Sequence, residues 1–290
     1  MDGIAQVRRF NRTVTQRVGA LDSHFLGRAR SLGASRLLFE IGAQGCDVRH
    51  LRTRLDLDSG YLSRLLRGLE RERLIRTGPS ARDARVREVT LTRKGRRELA
   101  VLNRLSDHVA RSVLGALSET QRTALVTAMG SVERLFNASA VRLQVVNPRT
   151  RGARYCLEHY FAELAVRFDA GFDPMRGISA TAGELTPPRG YFVLATLHGE
   201  PVGCGALKSH RAFGEVKRMW VAQSSRGLGI GRRILERLEA LARRRHIPVL
   251  RLETNRSLKE AQALYRASGY REVEAFNDEP YAHHWFEKRL

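Results

Sequence analysis

Three glycines in six residues, Arg226-Gly227-Leu228-Gly229-Ile230-Gly231, stand where an alternating run from Glu215 to Val221 meets an amphipathic stretch with Ile234, Leu235, Leu238 and Leu241. A strand that delivers glycines to a helix N-terminus lets backbone N–H groups close on phosphate oxygens, and the helix dipole adds favourable potential. The turn lacks the G-K-[ST] of a P-loop, and its G-x-G-x-G spacing departs from the Rossmann fingerprint. A second set of residues points to a different polyanion. Tyr61, Ser63, Arg64 and Arg67 fall on the outer side of a predicted helix whose buried stripe is Leu62, Leu65, Leu66 and Leu69, with Ser59 as its cap. A short helix through Val48, Leu51 and Leu55 precedes it, which makes a helix-turn-helix pattern. Arg82, Arg85 and Arg87 stand in or beside the hairpin that follows, where guanidinium groups meet phosphates or a minor groove.

Positioning both sets takes more than one module, and 290 residues suit about two domains. Hydrophobic residues at 42% and charged residues at 28% match an ordinary globular mix, which excludes disordered and fibrous classes. Lys and Arg number 51 against 30 Asp and Glu, a formal net charge of +21 that favours polyanionic partners. Both sides of Ala140 are basic, at +12 before it and +9 after, so charge alone assigns neither partner to a domain. No run reaches the roughly 18 apolar residues of a membrane span, and the N-terminus lacks an apolar signal core. A cytoplasmic protein with no membrane contact is expected. Cys46, Cys156 and Cys204 are too scattered for a disulfide framework or a structural zinc site. His283 and His284 adjoin acidic residues, but neighbouring strand positions face opposite ways, so no metal site is expected.

Before Ala140 the pattern is helical. Ile4, Val7, Phe10, Val14, Val18, Leu21 and Phe25 predict one helix over residues 4–30, and two further helices run over 96–117 and 119–136 after a capping box from Ser118 to Gln121. Between them, Leu74-Ile75-Arg76 and Val86 to Leu91 predict a hairpin. This region resembles the MarR family of winged helix-turn-helix regulators, with its wing pattern at Asp83-Ala84-Arg85 and Leu91-Thr92-Arg93-Lys94-Gly95. The resemblance covers about residues 5–138. It implies a homodimer on a palindromic double-stranded DNA operator, with the spare apolar helix faces forming the dimer contact.

Beyond Ala140 the period changes to strands, at Val141–Val146, Tyr191–Leu197, Val202–Lys208, Glu215–Val221 and Val249–Thr254, the second and third joined by a turn at His198–Pro201. The stretch EVKRMWVAQSSRGLGIGRR resembles the central motif of the GNAT N-acetyltransferases, R/Q-x-x-G-x-G/A, at Arg226, Gly229 and Gly231. Asn255, Ala261, Leu264, Tyr265, Gly269 and Tyr270 are similar to that family's second motif. The expected chain is thus α+β with two domains. Residues 1–139 form a mostly α winged helix-turn-helix domain with dimerisation helices, and 140–290 an α/β GNAT fold with a mixed, splayed sheet.

The second resemblance implies acetyl-CoA as cofactor. Met219 and Val221 would offer main-chain bonds to its pantetheine arm, residues 226–232 from Arg226 to Arg232 would hold the pyrophosphate, and Asn255 would steady the thioester end. Tyr265 resembles the family's general acid, since a phenol with an ordinary pKa near 10 stays protonated at neutral pH and can protonate a departing thiolate. Glu215 is the candidate base for an incoming ammonium. Tyr160, Arg167, Tyr281 and His283 are further candidates to line an acceptor site. The expected function joins DNA-binding regulation to acetyl transfer onto a primary amine, small or peptide-borne, by direct attack in a ternary complex. Two alternatives stay open: a regulator that only senses acetyl-CoA, and an enzyme whose winged domain serves dimerisation alone.

Overall fold

The computed structural model of the protein describes residues 2–21, 24–80, 86–169 and 171–290. The chain divides into two compact units, residues 1–128 and 129–290.

In the first unit, α1 (Gly3–Arg17) is capped by Asp2 and ends at Val18. The helix expected over residues 4–30 is therefore shorter, because Gly19 enters the left-handed region at φ 66° and stops it; Phe25–Gly27 is a separate 3₁₀ turn. Next come α2 (Leu32–Ile41), β1 (Cys46–Asp47), α3 (Val48–Arg54), α4 (Ser59–Arg71), β2 (Ile75–Pro79), β3 (Arg87–Leu91) and α5 (Arg93–Gly115). The three strands form an antiparallel sheet in the order β1-β3-β2. Leu37, Leu38, Leu51, Leu62, Leu69, Leu74 and Leu102 fill the core beneath it.

Asp58, not Ser59, caps α4. Its carboxylate accepts the Tyr61 N–H at 2.8 Å, and an anion suits the positive end of the helix. The Leu91–Gly95 motif also has a structural reason. Thr92 caps α5, accepting from the Gly95 N–H at 3.0 Å and donating to the Arg73 carbonyl at 2.7 Å, while a Cβ on Gly95 would collide with the Leu74 carbonyl.

The helix α6 (Glu119–Ala140) carries the chain across the division, opening with the expected reciprocal bonds between Ser118 and Gln121. The second unit then contains β4 (Arg142–Val146), α7 (Arg151–Arg167), β5 (Gly190–Leu197), β6 (Glu200–Ser209), β7 (Gly214–Val221), α8 (Ile230–Arg244), β8 (Val249–Thr254), α9 (Lys259–Ala267), β9 (Arg271–Val273) and β10 (His284–Arg289). They build a mixed seven-stranded sheet in the order β4-β5-β6-β7-β8-β10-β9, in which β7 and β8 run parallel. The β5–β6 turn is the two residues His198 and Gly199, both at positive φ, which is tighter than the four-residue turn expected. Alternation along β5 and β6 sends Phe192, Leu194, Cys204 and Ala206 to α7, while Val193, Ala195 and Leu207 join the α8 core. The central strands are thus buried on both faces.

Two irregularities open this sheet. Strands β7 and β8 pair at Gly214↔Leu250 and Glu215↔Arg251 and then part, leaving one backbone edge of residues 216–221 without a strand. Opposite, Cys204 pairs Trp220 but Ala206 pairs Lys217, so β7 holds one extra residue and bulges. Arg218 sits in this bulge at φ 58°, and its carbonyl accepts the Cys204 thiol at 3.2 Å.

Candidate functional site

The gap between the parted strands holds two adjoining cavities in the second unit. The larger, about 610 Å³, is lined by Met219, Trp220 and Val221 of β7, by the glycine turn, by Tyr160, Glu163 and Arg167 of α7, and by Leu264 and Tyr265 of α9. Gly227 and Gly229 take φ 80° and 72°, and a Cβ on either would meet no atom within 4 Å, so the turn faces open space. Gly229 occupies the N-cap of α8 with no side-chain cap, which leaves the N–H groups of the first turn without intrahelical partners. Gly231 abuts Leu264.

Arg226, Gly227, Gly229, Ile230, Gly231 and Arg232 all line this cavity. Leu228 instead packs against the core. Arg226 is held at the wall, where its guanidinium donates to Glu163 at 2.6 Å and to the Val221 carbonyl at 3.2 Å. Glu163 also accepts from Trp220 Nε1 at 2.9 Å and Arg167 at 3.1 Å. Burial works to raise its pKa, but these donors outweigh burial and hold the carboxyl below its ordinary range.

The smaller cavity, about 110 Å³, shares Tyr160, Met219 and Tyr265 with the first. Its walls include Phe168, Phe172, Lys217, Arg218, Glu253, Asn255, Glu279 and Tyr281. The loop over residues 171–181 closes on it through bonds that include the Asp173 N–H to Tyr281 Oη at 2.9 Å, the Ile178 N–H to Glu279 at 2.6 Å, Lys217 Nζ to the Ile178 carbonyl at 3.2 Å, and Arg218 to Ser179 Oγ at 2.7 Å. Lys217 is buried between two carboxylates, 2.8 Å from Glu253 Oε1 and 2.9 Å from Glu215 Oε1. Burial pushes the Glu253 pKa up, and the pull of Lys217 does not cancel it because Glu215 and Glu279 repel the same charge. Glu253 Oε2 is buried with no hydrogen-bond partner among the described residues. Burial likewise pushes the Tyr265 phenol well up, which keeps its proton on.

The expected site residues divide accordingly. Met219 and Tyr265 stand where the cavities meet, and Val221 lines the larger. Asn255 lines the smaller, but its amide is engaged: Nδ2 donates to the Tyr281 carbonyl at 2.8 Å and Oδ1 accepts the Ser257 N–H at 2.9 Å, which ties the end of β8 to the 281 segment. Glu215, the candidate base, lines neither cavity. Its two oxygens are taken by Lys217 and by His210 Nε2 at 3.0 Å, on the still-paired side of the splay. Tyr281 lines the smaller cavity and Arg167 the larger, whereas His283 is exposed and lines neither. Glu253, Lys217, Arg218 and Glu163 were missed by the sequence reading. For Glu253, Lys217 and Arg218 the available signal was charge inside strands, in Glu215-Val216-Lys217-Arg218 and Leu252-Glu253-Thr254.

In the first unit, Ser59, Ser63, Arg64 and Arg67 of α4 are exposed on one surface, and Arg87 is exposed at the start of β3. Tyr61 departs from the expected outward face: its hydroxyl crowds Gly33 of α2, and the Arg64 guanidinium lies 5.8 Å from its ring centre. A depression of about 280 Å³ is lined by Arg49 and Arg52 of α3, Ser59 and Ser63 of α4, and Arg87. Arg49 and Arg52, three apart on one helix face, extend the basic surface beyond the residues predicted. Arg82, Asp83 and Arg85 lie outside the described residues. No described helix is long and apolar enough to cross a membrane.

Two family profiles match the chain. That of the acetyltransferase (GNAT) family covers residues 155–270, and that of the MarR family covers residues 30–86. Over 88 residues the chain is 43% identical to an IAA acetyltransferase of Azospirillum brasilense, a match covering 30% of this chain and 58% of that protein. The chain therefore spans little more than half the length of this curated relative. Among solved structures, a GNAT-family acetyltransferase of Staphylococcus aureus Mu50 is 20% identical with a TM-score of 0.46, and a GNAT-family acetyltransferase of Elizabethkingia anophelis with acetyl-CoA bound is 18% identical with a TM-score of 0.38. Each match covers 52% of this chain and 99% of the other.

Proposed function

We propose that this chain, which joins a MarR-family region to a GNAT-family region, binds an operator as a homodimer and transfers an acetyl group from acetyl-CoA to a primary amine. The observation that carries the enzymatic half is the meeting of the two cavities at Tyr160, Met219 and Tyr265 in the gap between β7 and β8. The larger cavity fits the cofactor. Its glycine turn and the open amides of α8 suit a pyrophosphate, Arg232 adds a cation at the rim, and the free backbone edge at Met219 and Val221 suits an amide-bearing arm. When bound, acetyl-CoA supplies an acetyl thioester open to attack by an amine nitrogen.

Glu253 takes the proton that the incoming ammonium must lose, through Oε2, which no donor among the described residues occupies. Its raised pKa makes it a stronger base than an ordinary carboxylate. Tyr265, kept protonated by burial, hands a proton to the departing sulfur. Lys217 holds Glu253 through its other oxygen and orients it. Asn255 acts as a positioning residue that fixes the Tyr281 segment.

The DNA-binding half is supported by the exposed Ser63, Arg64 and Arg67 of α4 and by Arg49, Arg52 and Arg87 around the adjoining depression. Dimerisation is supported by exposed apolar side chains on α1 (Ile4, Val7, Phe10, Val14), α5 (Val109, Val113) and α6 (Val126, Met129). A screen of amines for acetyl-CoA-dependent thiol release tests the enzyme. Gel shift on genomic operator fragments at several salt concentrations tests the regulator, since DNA affinity built on phosphate contacts falls steeply with salt.

A further inference from the structure

We propose that the acceptor is a free α-amino acid with an apolar or aromatic side chain, bound by its carboxylate at Arg218 and by its amine at Glu253. This rests on the reading of the second unit as an amine acetyltransferase. Arg218 occupies a backbone conformation that side chains other than glycine seldom adopt, φ 58°, in the one-residue bulge of β7. Such a conformation is strained and persists where surrounding structure imposes it. The bulge makes Arg218 part of the smaller cavity.

The guanidinium is held but not neutralised. It lies 4.6 Å from the Phe161 ring centre and 5.7 Å from that of Tyr160, and it donates to Ser179 Oγ. Among the described residues it forms no ion pair, whereas Arg167 and Arg226 in the neighbouring cavity both rest on Glu163. A planar guanidinium stacked on aromatic faces is pre-oriented to receive a carboxylate through two parallel bonds. Of the two cavities Arg218 lines the smaller, so its free donors belong to the acceptor side and not to the glycine turn.

The same cavity offers an anionic end. Lys217 occupies Glu253 Oε1, and Glu253 Oε2 is buried with no partner among the described residues. A simple amine would leave Arg218 without a counter-ion, and a diamine would set a second ammonium against it. An α-amino acid satisfies both ends at once. Phe168, Phe172 and Tyr281, with ring centres 4.9 to 5.7 Å apart, supply an apolar wall for its side chain. At about 110 Å³ the chamber suits a small molecule.

In the reaction the amine nitrogen forms an N–C bond to the acetyl carbon as the C–S bond breaks. The nitrogen loses two protons, one through Glu253 to solvent and one that restores the phenol of Tyr265 after it protonates the sulfur. The products are an N-acetyl amino acid and a free thiol.

The test compares matched pairs that differ only in the carboxylate: L-phenylalanine with 2-phenylethylamine, L-leucine with isopentylamine, and L-methionine with 3-(methylthio)propylamine. Phenylalaninamide serves as a neutral control. At least one amino acid is expected to show a kcat/KM about 100-fold above its decarboxylated partner, the scale set by one charge-assisted ion pair. Calorimetric binding of that amino acid, read without turnover, should weaken at least tenfold in Arg218→Gln and be partly kept in Arg218→Lys. If amines are acetylated as well as or better than their amino acids, the inference is overturned and the acetyltransferase reading stands. The same holds if only aminoglycosides or lysine peptides are acetylated. If acetyl-CoA does not bind, or no amine of any class is acetylated, the reading itself falls. The pairwise comparison uses the unaltered protein, so a misfolded Arg218 variant does not weaken it.

Discussion

Replacing Glu253 with Gln should cost far more than replacing Glu215 with Gln, and the two variants should move the pH profile in different ways. Gln keeps the shape and the contact with Lys217 while removing proton affinity. Loss of a positioned base lowers kcat/KM by about 10² to 10⁴, or roughly 3 to 5 kcal/mol of barrier. In the unaltered protein the base must be deprotonated to work, so activity falls as pH drops through the Glu253 pKa. Burial places that fall above the ordinary carboxylate range. The oxygens of Glu215 and Glu253 both lie within 2.9 Å of Lys217 Nζ. They are thus roughly 6 Å apart or less, where like charges in a protein environment repel by about 2 to 3 kcal/mol. Glu215→Gln removes that repulsion, so the acid limb should move to lower pH while turnover at pH 8 stays within a few-fold. Initial rates of thiol release from pH 5 to 8.5, with melting curves for both variants, make the comparison. A Glu253→Gln enzyme within threefold of the unaltered rate, together with a hundredfold loss in Glu215→Gln, would refute the assignment and return the role to Glu215.

Tyr265→Phe should lower turnover by about 10² to 10⁴ with acetyl-CoA affinity nearly unchanged, measured by single-turnover kinetics and calorimetry; an unaltered rate removes the phenol from the mechanism. Gly229→Val should weaken acetyl-CoA binding by more than about 100-fold, because a β-branched residue resists φ 72° and its side chain enters the space the turn encloses. Circular dichroism should show the helices intact. Glu184 bonds Lys208 Nζ at 2.8 Å and accepts from Thr181, which holds its carboxyl down at about 2. A depressed carboxyl contributes stability above its unfolded pKa of about 4.3 and loses it as pH falls towards 2. Glu184→Gln should therefore cost about 1 to 2 kcal/mol at pH 7 after solvent screening and almost nothing at pH 2, read by denaturant unfolding. Arg64→Ala should weaken operator binding and reduce its salt slope by about one unit where that arginine meets a phosphate. An equal loss at every salt concentration would point to a base contact instead.

Much of this protein is legible in its residues because the signals are local. The glycine turn, the Ser118–Gln121 box and the helix pair before the wing depend on φ preferences, capping and periodicity within a few residues, and the structure contains each of them. Local rules also set the limits of that reading. The stripe from Ile4 to Phe25 ignored how readily Gly19 leaves the helical region, and Ser59 and Asp58 are both good caps that only the realised geometry separates.

The chamber is a matter of tertiary structure. Glu215 and Glu253 look alike in sequence, each a carboxylate within a strand and each able to bond Lys217. What distinguishes them is register. The parallel pairing of β7 with β8 ends at Glu215 and Arg251, so Glu215 stays with the paired strands while Glu253 lies past the fork, where the cavity begins. The bulge at Arg218 is equally silent in sequence, since an extra residue in a strand shows only against its neighbour's count. Residue types set which elements form, because a turn or helix is decided among adjacent groups. Which charge meets a cavity is decided by where two distant strands stop sharing hydrogen bonds.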